Sequence, residues 1–139
     1  MRPIKDFEEY IEEQIVKEQS PDKSRANSLK KESEQAEKFL KKIINTIGIT
    51  DENANIIIKI TYDIIMAKIR AKMILKGYNA SGSGAHEAEV AYLRKLNFNE
   101  KDLQFCDQLR YFRNGIMYYG KSFDKEYAKK TISFLEKFK

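Results

Sequence analysis

The sequence predicts an all-α fold, an antiparallel up-and-down four-helix bundle with a short inserted helix and an extra helix at the N-terminus. Three observations predict it. The only prolines are Pro3 and Pro21, so nothing from Asp22 to Lys139 carries the residue that breaks helix interiors. Apolar residues recur in steps of three and four over long stretches, and no run alternates at the period of a half-buried strand. The six glycines fall mostly where such stretches end.

Six helical segments follow in order. The first runs from about Asp6 to Glu18, with Phe7, Tyr10, Ile11 and Ile15 on one stripe and Pro21 closing it. The second covers roughly Ser24 to Ile47, its stripe formed by Ala36, Phe39, Leu40, Ile43, Ile44 and Ile47, with Gly48 at its end. Thr50 is placed to cap the third, which continues to Lys76 before Gly77. Its seam of Ile57, Ile60, Ile64, Ala67, Ala71 and Ile74 suits a long helix packed nearly parallel to neighbours. A strand of that length without a turn is improbable. The fourth helix is short, about Ala85 to Leu96. Asn99 caps the fifth, about Glu100 to Tyr119, whose Leu103, Phe105, Leu109, Phe112, Ile116 and Tyr119 are expected to face inward. Asp124 opens the last, with Tyr127, Ala128, Thr131, Ile132, Leu135 and Phe138 on one side. The bundle is expected over residues 23–139, with residues 1–22 as an appendage or interface element.

A chain of 139 residues, 42% hydrophobic and 34% charged, has material for one core beneath a charged surface. The net charge of +5 is compatible with nucleic acid, an acidic protein partner or plain solvation. Lys30, Lys31, Lys38, Lys41, Lys42, Lys121, Lys125, Lys129 and Lys130 form two basic runs, of which the first is interleaved with Glu32, Glu34 and Glu37 and reads as a solvated face. A single cysteine, Cys106, excludes an intramolecular disulfide and a multi-cysteine zinc site. The most hydrophobic run, Ile56 to Leu75, carries Lys59, Asp63, Lys68, Arg70 and Lys72, too many charges for a membrane span. The first ten residues contain no apolar run of signal-peptide length, so the expected setting is cytoplasmic, without membrane association.

No Walker loop, Rossmann fingerprint or paired-histidine metal motif is present, and neither metal nor cofactor is expected. Two segments stand out. In Gly82-Ser83-Gly84-Ala85-His86-Glu87 a glycine-rich loop enters a helix and places the only histidine in its first turn. Its plain reading is a flexible connection; its functional one is a helix start that attracts phosphate, with His86 donating to it or moving a proton. In Arg110-Tyr111-Phe112-Arg113-Asn114-Gly115-Ile116-Met117-Tyr118-Tyr119-Gly120, two polar residues interrupt an apolar helix. Asn114 and Tyr118, one turn apart, can line a groove with Arg113 at its edge. Alternatively, Arg113 is a tether to Glu52, Asp63 or Glu87, and the tyrosines fill a helix seam. Gly115 is expensive there, costing a helix interior about 1 kcal/mol relative to alanine.

Leu109 to Gly120, preceded by Gly77-Tyr78 and Gly84-Ala85-His86-Glu87, resembles the HEPN superfamily (higher eukaryote and prokaryote nucleotide-binding domain) over roughly Gln35 to Phe138. The resemblance implies a helical bundle that commonly dimerises. It also implies RNA or nucleotide binding or metal-independent RNase activity, in several members as a toxin paired with a nucleotidyltransferase antitoxin. Its motif is an arginine, usually a following polar residue, three variable residues and a histidine. Arg113 and Asn114 match, but Tyr118 stands at the histidine's place, and Gly120 stands where some toxin members carry a modified tyrosine.

Tyrosine is a poor general base at neutral pH, although a competent hydrogen-bond donor and stacking surface. The leading expectation is therefore a homodimeric domain that binds RNA or a nucleotide through Arg113, Asn114, Tyr118, Tyr119 and His86. The second is a metal-independent endoribonuclease in which Arg113, Asn114 and His86 are catalytic. The third is a non-catalytic helical partner for another protein. The relation of His86 to Arg113 discriminates among them.

Overall fold

A computed structural model describes residues 3–138; residues 1, 2 and 139, at the limits of the two expected segments, lie outside the described residues. The described chain is mostly helical, with six α-helices and one two-stranded sheet. Helix α1 spans Phe7–Glu12, and the Asp6 N–H donates to the Glu9 carboxylate at 2.9 Å as in a capping box. It stops well short of Glu18. Gln14 takes a left-handed conformation with φ 63°, and the chain then extends into strand β1, Val16–Glu18.

Strand β1 pairs antiparallel with β2, Tyr78–Ala80, which lies between the predicted third and fourth helices. The Ile15-Val16 pair suits a pleated conformation, and Val16 is buried while Lys17 is exposed. Gly77 permits the approach of the two strands. Its φ is +87°, and a Cβ there would sit 2.3 Å from the Gln19 carbonyl oxygen. The segment expected to stand apart as residues 1–22 thus places Phe7, Tyr10 and Val16 in the common core. The Phe7 ring meets Tyr78 and Tyr92 edge-on at 5.1 and 4.9 Å between centroids.

Helix α2, Lys23–Ile47, is capped by Asp22, which accepts the Arg25 N–H at 2.9 Å. It packs chiefly on α3 through a narrow face that buries Leu40, so Phe39 and Ile47, expected on its inner stripe, are exposed. Helix α3, Ala54–Leu75, starts later than predicted. Thr50 and Asn53 exchange side-chain hydrogen bonds (2.9 and 3.1 Å), and Asn53, rather than Thr50, occupies the N-cap position. Helix α3 is the central element. It touches α2, α4, α5, α6 and β2 and buries Ile57, Ile58, Ile64, Ile65, Ile69 and Ile74.

The predicted fourth helix divides into α4, Ala85–Ala91, and a 3-10 turn over Tyr92–Leu96. Helix α5, Glu100–Tyr119, begins at the predicted cap, where Asn99 accepts the Asp102 N–H at 2.9 Å. Asp124 likewise caps α6, Lys125–Leu135. Leu103, Cys106 and Leu109 anchor α5 in the core, and Phe105, Phe112, Phe123, Tyr127 and Phe134 join it to α6 as an aromatic cluster. Tyr119, expected to face inward, is exposed, because the last turn of α5 extends past its packing partners. Among the described residues no helix is long and apolar enough to cross a membrane.

Candidate functional site

Helices α3, α4 and α5 enclose a cavity of about 240 Å³ lined by Tyr62, Ser83, Gly84, His86, Glu87, Arg110, Arg113 and Asn114. Three of the five residues singled out from sequence, His86, Arg113 and Asn114, meet here. The other two do not. Tyr118 and Tyr119 are 72% and 78% exposed on the last turn of α5, and neither lines the cavity. The groove drawn from Asn114 to Tyr118 is therefore corrected to one from Asn114 to His86. Only Tyr119 meets Asn114 again, in a larger groove elsewhere along α5.

Arg113 is incompletely partnered. Its Nη2 lies 3.4 Å from Asp63 Oδ1, a long contact to an exposed carboxylate, and its buried Nε has no hydrogen-bond partner among the described residues. The guanidinium carbon stands 5.8 Å from the Tyr62 ring centroid, a cation–π distance. Asp63 is thus the tether among the three acids considered from sequence, but an open one. Neighbouring Arg110 is held differently: its Nε donates to Asp107 at 2.9 Å and its Nη2 lies 3.5 Å from Glu87.

His86 is anchored on one side only. Its Nδ1 lies 3.3 Å from the Tyr62 hydroxyl and 3.7 Å from Glu89 Oε1, and the largely exposed ring borders the cavity. Glu89 is 2% exposed and takes hydrogen bonds from Arg70 Nε and Nη2 at 2.7 and 3.0 Å. That fork, above all the hydrogen bond to Glu89, raises the Arg70 pKa further. Burial pushes the Tyr62 phenol well above its ordinary range, so it stays protonated at neutral pH. Burial does the same to the Cys106 thiol, which sits in the core with no access to the cavity.

Helix α4 has only seven residues, too few for a substantial macrodipole. The helix start expected to attract phosphate therefore yields to side chains as the source of positive character. Arg113, Asn114 and His86 together offer a cation, a carboxamide and an imidazole to one small polar ligand. Among the described residues no cluster of three or more His, Cys, Asp or Glu side chains is arranged to hold a metal ion.

Sequence reasoning missed Tyr62, Arg70, Glu89 and Arg110. One signal was available: Glu89 follows His86 by three residues, the spacing that places two side chains on one helix face. Comparison with protein-family models, with curated proteins and with solved structures finds no match to this chain.

Proposed function

We propose that this protein is a HEPN-like domain that binds RNA or a nucleotide by seating a phosphate group in the cavity between α3, α4 and α5. In this reading α2, α3, α5 and α6 are the four antiparallel helices of the bundle, and α4 is the insertion. One observation carries it: among the described residues Arg113 has a buried Nε without a partner and pairs with one exposed carboxylate, in the cavity that also holds His86 and Asn114. A phosphate oxygen would displace Asp63 and receive the guanidinium fork, with the Asn114 amide and His86 Nε2 as further donors. The resemblance adds a homodimer and a nucleotidyltransferase antitoxin as the partner to look for, and the cytoplasmic setting expected from the sequence belongs to the same reading.

The arrangement of His86 favours a second reading, a metal-independent ribonuclease. A histidine braced on Nδ1 can take the proton of a ribose 2′ hydroxyl on Nε2 as the 2′ oxygen attacks phosphorus and the bond to the 5′ oxygen breaks, the departing 5′ oxygen taking a proton from water. Arg113 would balance charge developing on the phosphate.

A short single-stranded RNA with a 5′ phosphate, titrated at low salt in EDTA, tests both readings. Arg113→Ala is expected to weaken binding by about tenfold, the worth of a charge-assisted hydrogen bond. Affinity should fall as salt rises from about 50 to about 200 mM. Unchanged affinity in Arg113→Ala sinks the phosphate site. Cleavage abolished by both His86→Ala and Arg113→Ala replaces the binding reading with the nuclease.

A further inference from the structure

A second recess, of about 940 Å³, runs along α5 beside the phosphate cavity. Arg110 and Asn114, one helical turn apart, line both. The floor of the recess is aromatic and fixed. Phe112 and Phe123 pack with their ring centroids 4.7 Å apart, and Asn55 on α3 holds the loop carrying Phe123 by accepting its N–H at 2.9 Å. The same Asn55 donates to the Lys121 carbonyl at 2.8 Å, which brings the Lys121 side chain over Gly115. The rim is aromatic and free. Tyr111 and Tyr119 line the recess at 69% and 78% exposure.

Resting on the phosphate reading, we propose that this recess is a nucleobase subsite, so that the ligand is single-stranded RNA with a base stacked on Tyr111 or Tyr119. Four features select that occupant over a purely apolar one. Exposed rings supply sequence-tolerant stacking faces. Asn114 offers an amide to a base edge, and Lys121 supplies the recess with a cation for a polyanion, since Asp107, also in the lining, is already taken up by Arg110. The walls shared with the phosphate cavity place a base site and a phosphate site within one nucleotide's span. Bases in a duplex are stacked and unavailable to such a recess, whereas those of a single strand can be splayed onto it.

The experiment compares three ligands by fluorescence anisotropy: a short single-stranded oligoribonucleotide, the abasic oligomer of the same length, and the duplex. Wild-type protein is expected to bind the single strand about tenfold more tightly than the abasic chain, the worth of one stacked base. The duplex should show no such gain. The Tyr111→Leu/Tyr119→Leu variant should bind the base-bearing chain no better than the abasic one, with abasic binding unchanged. The Tyr111→Phe/Tyr119→Phe variant should retain the preference, and Arg113→Ala should weaken both oligomers alike.

Equal binding of the base-bearing and abasic oligomers, with Arg113→Ala still weakening both, overturns the base subsite and leaves the phosphate site standing. Failure of both oligomers to bind overturns the two together. Light scattering on each variant closes the remaining route. If base preference disappears only in step with conversion of a dimer to a monomer, the recess is a contact between copies of this chain and the subsite is overturned.

Discussion

The hydroxyl of Tyr62 lies 3.3 Å from Nδ1 of His86, tying the core of α3 to the open end of α4. Burial raises the phenol's pKa above its ordinary value of 10.0, so the folded protein holds this proton to higher pH than the unfolded chain. The unfolded chain releases this proton at its ordinary value while the native state retains it, so the contribution to stability is full below about pH 10 and declines above it. Tyr127, pushed up to about 12 by burial, adds to the same slope. Urea midpoints should therefore fall between about pH 9 and about pH 11, and Tyr62→Phe should shallow that decline. At neutral pH the substitution keeps the ring beneath Arg113 and removes one hydrogen bond, a cost of about 1 kcal/mol. The His86 ring resonances should shift in the same variant. An unchanged His86 spectrum would mean that the hydroxyl does not hold the imidazole.

Tyr118 occupies the place of the motif histidine in the resemblance but projects from the exposed end of α5, away from the cavity. Restoring that histidine should accomplish little. Tyr118→His is expected to leave affinity for single-stranded RNA within about twofold of wild type, as an exposed substitution remote from the ligand does. His86→Ala should weaken it more. Filter binding of the two variants side by side measures the contrast, and a larger loss from Tyr118→His would return the site to the far turn of α5.

The helices were largely legible because their ends carry local chemistry. Asn99 and Asp124 cap where they were expected to, and Gly48 and Gly77 end long apolar stretches. The sheet was not legible. Each strand has three residues, too few to display alternation, and their pairing joins segments about sixty positions apart. The helical stripe Phe7-Tyr10-Ile11-Ile15 simply outlasts the helix, which Gln14 ends without a glycine or proline. At the site, His86, Arg113 and Asn114 were visible as polar residues in unusual local settings. Tyr62 and Arg70 were hidden among the charged and apolar residues of α3, since their roles arise only from what α4 and α5 bring against that helix.

Arg94 pins the N-terminal segment. Its guanidinium donates to the Ile4 and Lys5 carbonyls, each at 2.8 Å, and to the Glu100 carboxylate. Lys95 holds Glu8 beside it. Hydrogen bonds from these cations keep the Glu8 and Glu100 carboxyls below their ordinary value of 4.5. Their stabilising contribution is therefore complete above that value and fades as pH falls through the lowered ones. Hydrogen exchange at the α1 amides is expected to accelerate on going from about pH 6 to about pH 3, beyond the intrinsic pH effect. Arg94→Ala should accelerate it by about tenfold at neutral pH. Equal protection of α1 in the variant would show that core burial of Phe7 and Tyr10 alone retains the segment.

Gly115 and Gly77 make opposite demands on an added methyl group. At Gly115, inside α5, the backbone is helical and a Cβ would lie 3.2 Å from Lys121 Cγ. Lys121 is exposed, so its side chain can give way, and the helix gains up to about 1 kcal/mol when glycine becomes alanine. At Gly77 the φ is +87° and the Cβ would meet a backbone oxygen at 2.3 Å, which only a shift of the sheet can relieve. Gly115→Ala is accordingly expected to raise the melting temperature by about 3 °C. Gly77→Ala should destabilise by more than about 2 kcal/mol, combining left-handed strain with displacement of β1 from β2. Thermal unfolding followed by circular dichroism measures both. Destabilisation by Gly115→Ala would mean that Lys121 is held rigidly over α5 and that glycine is required there for its approach.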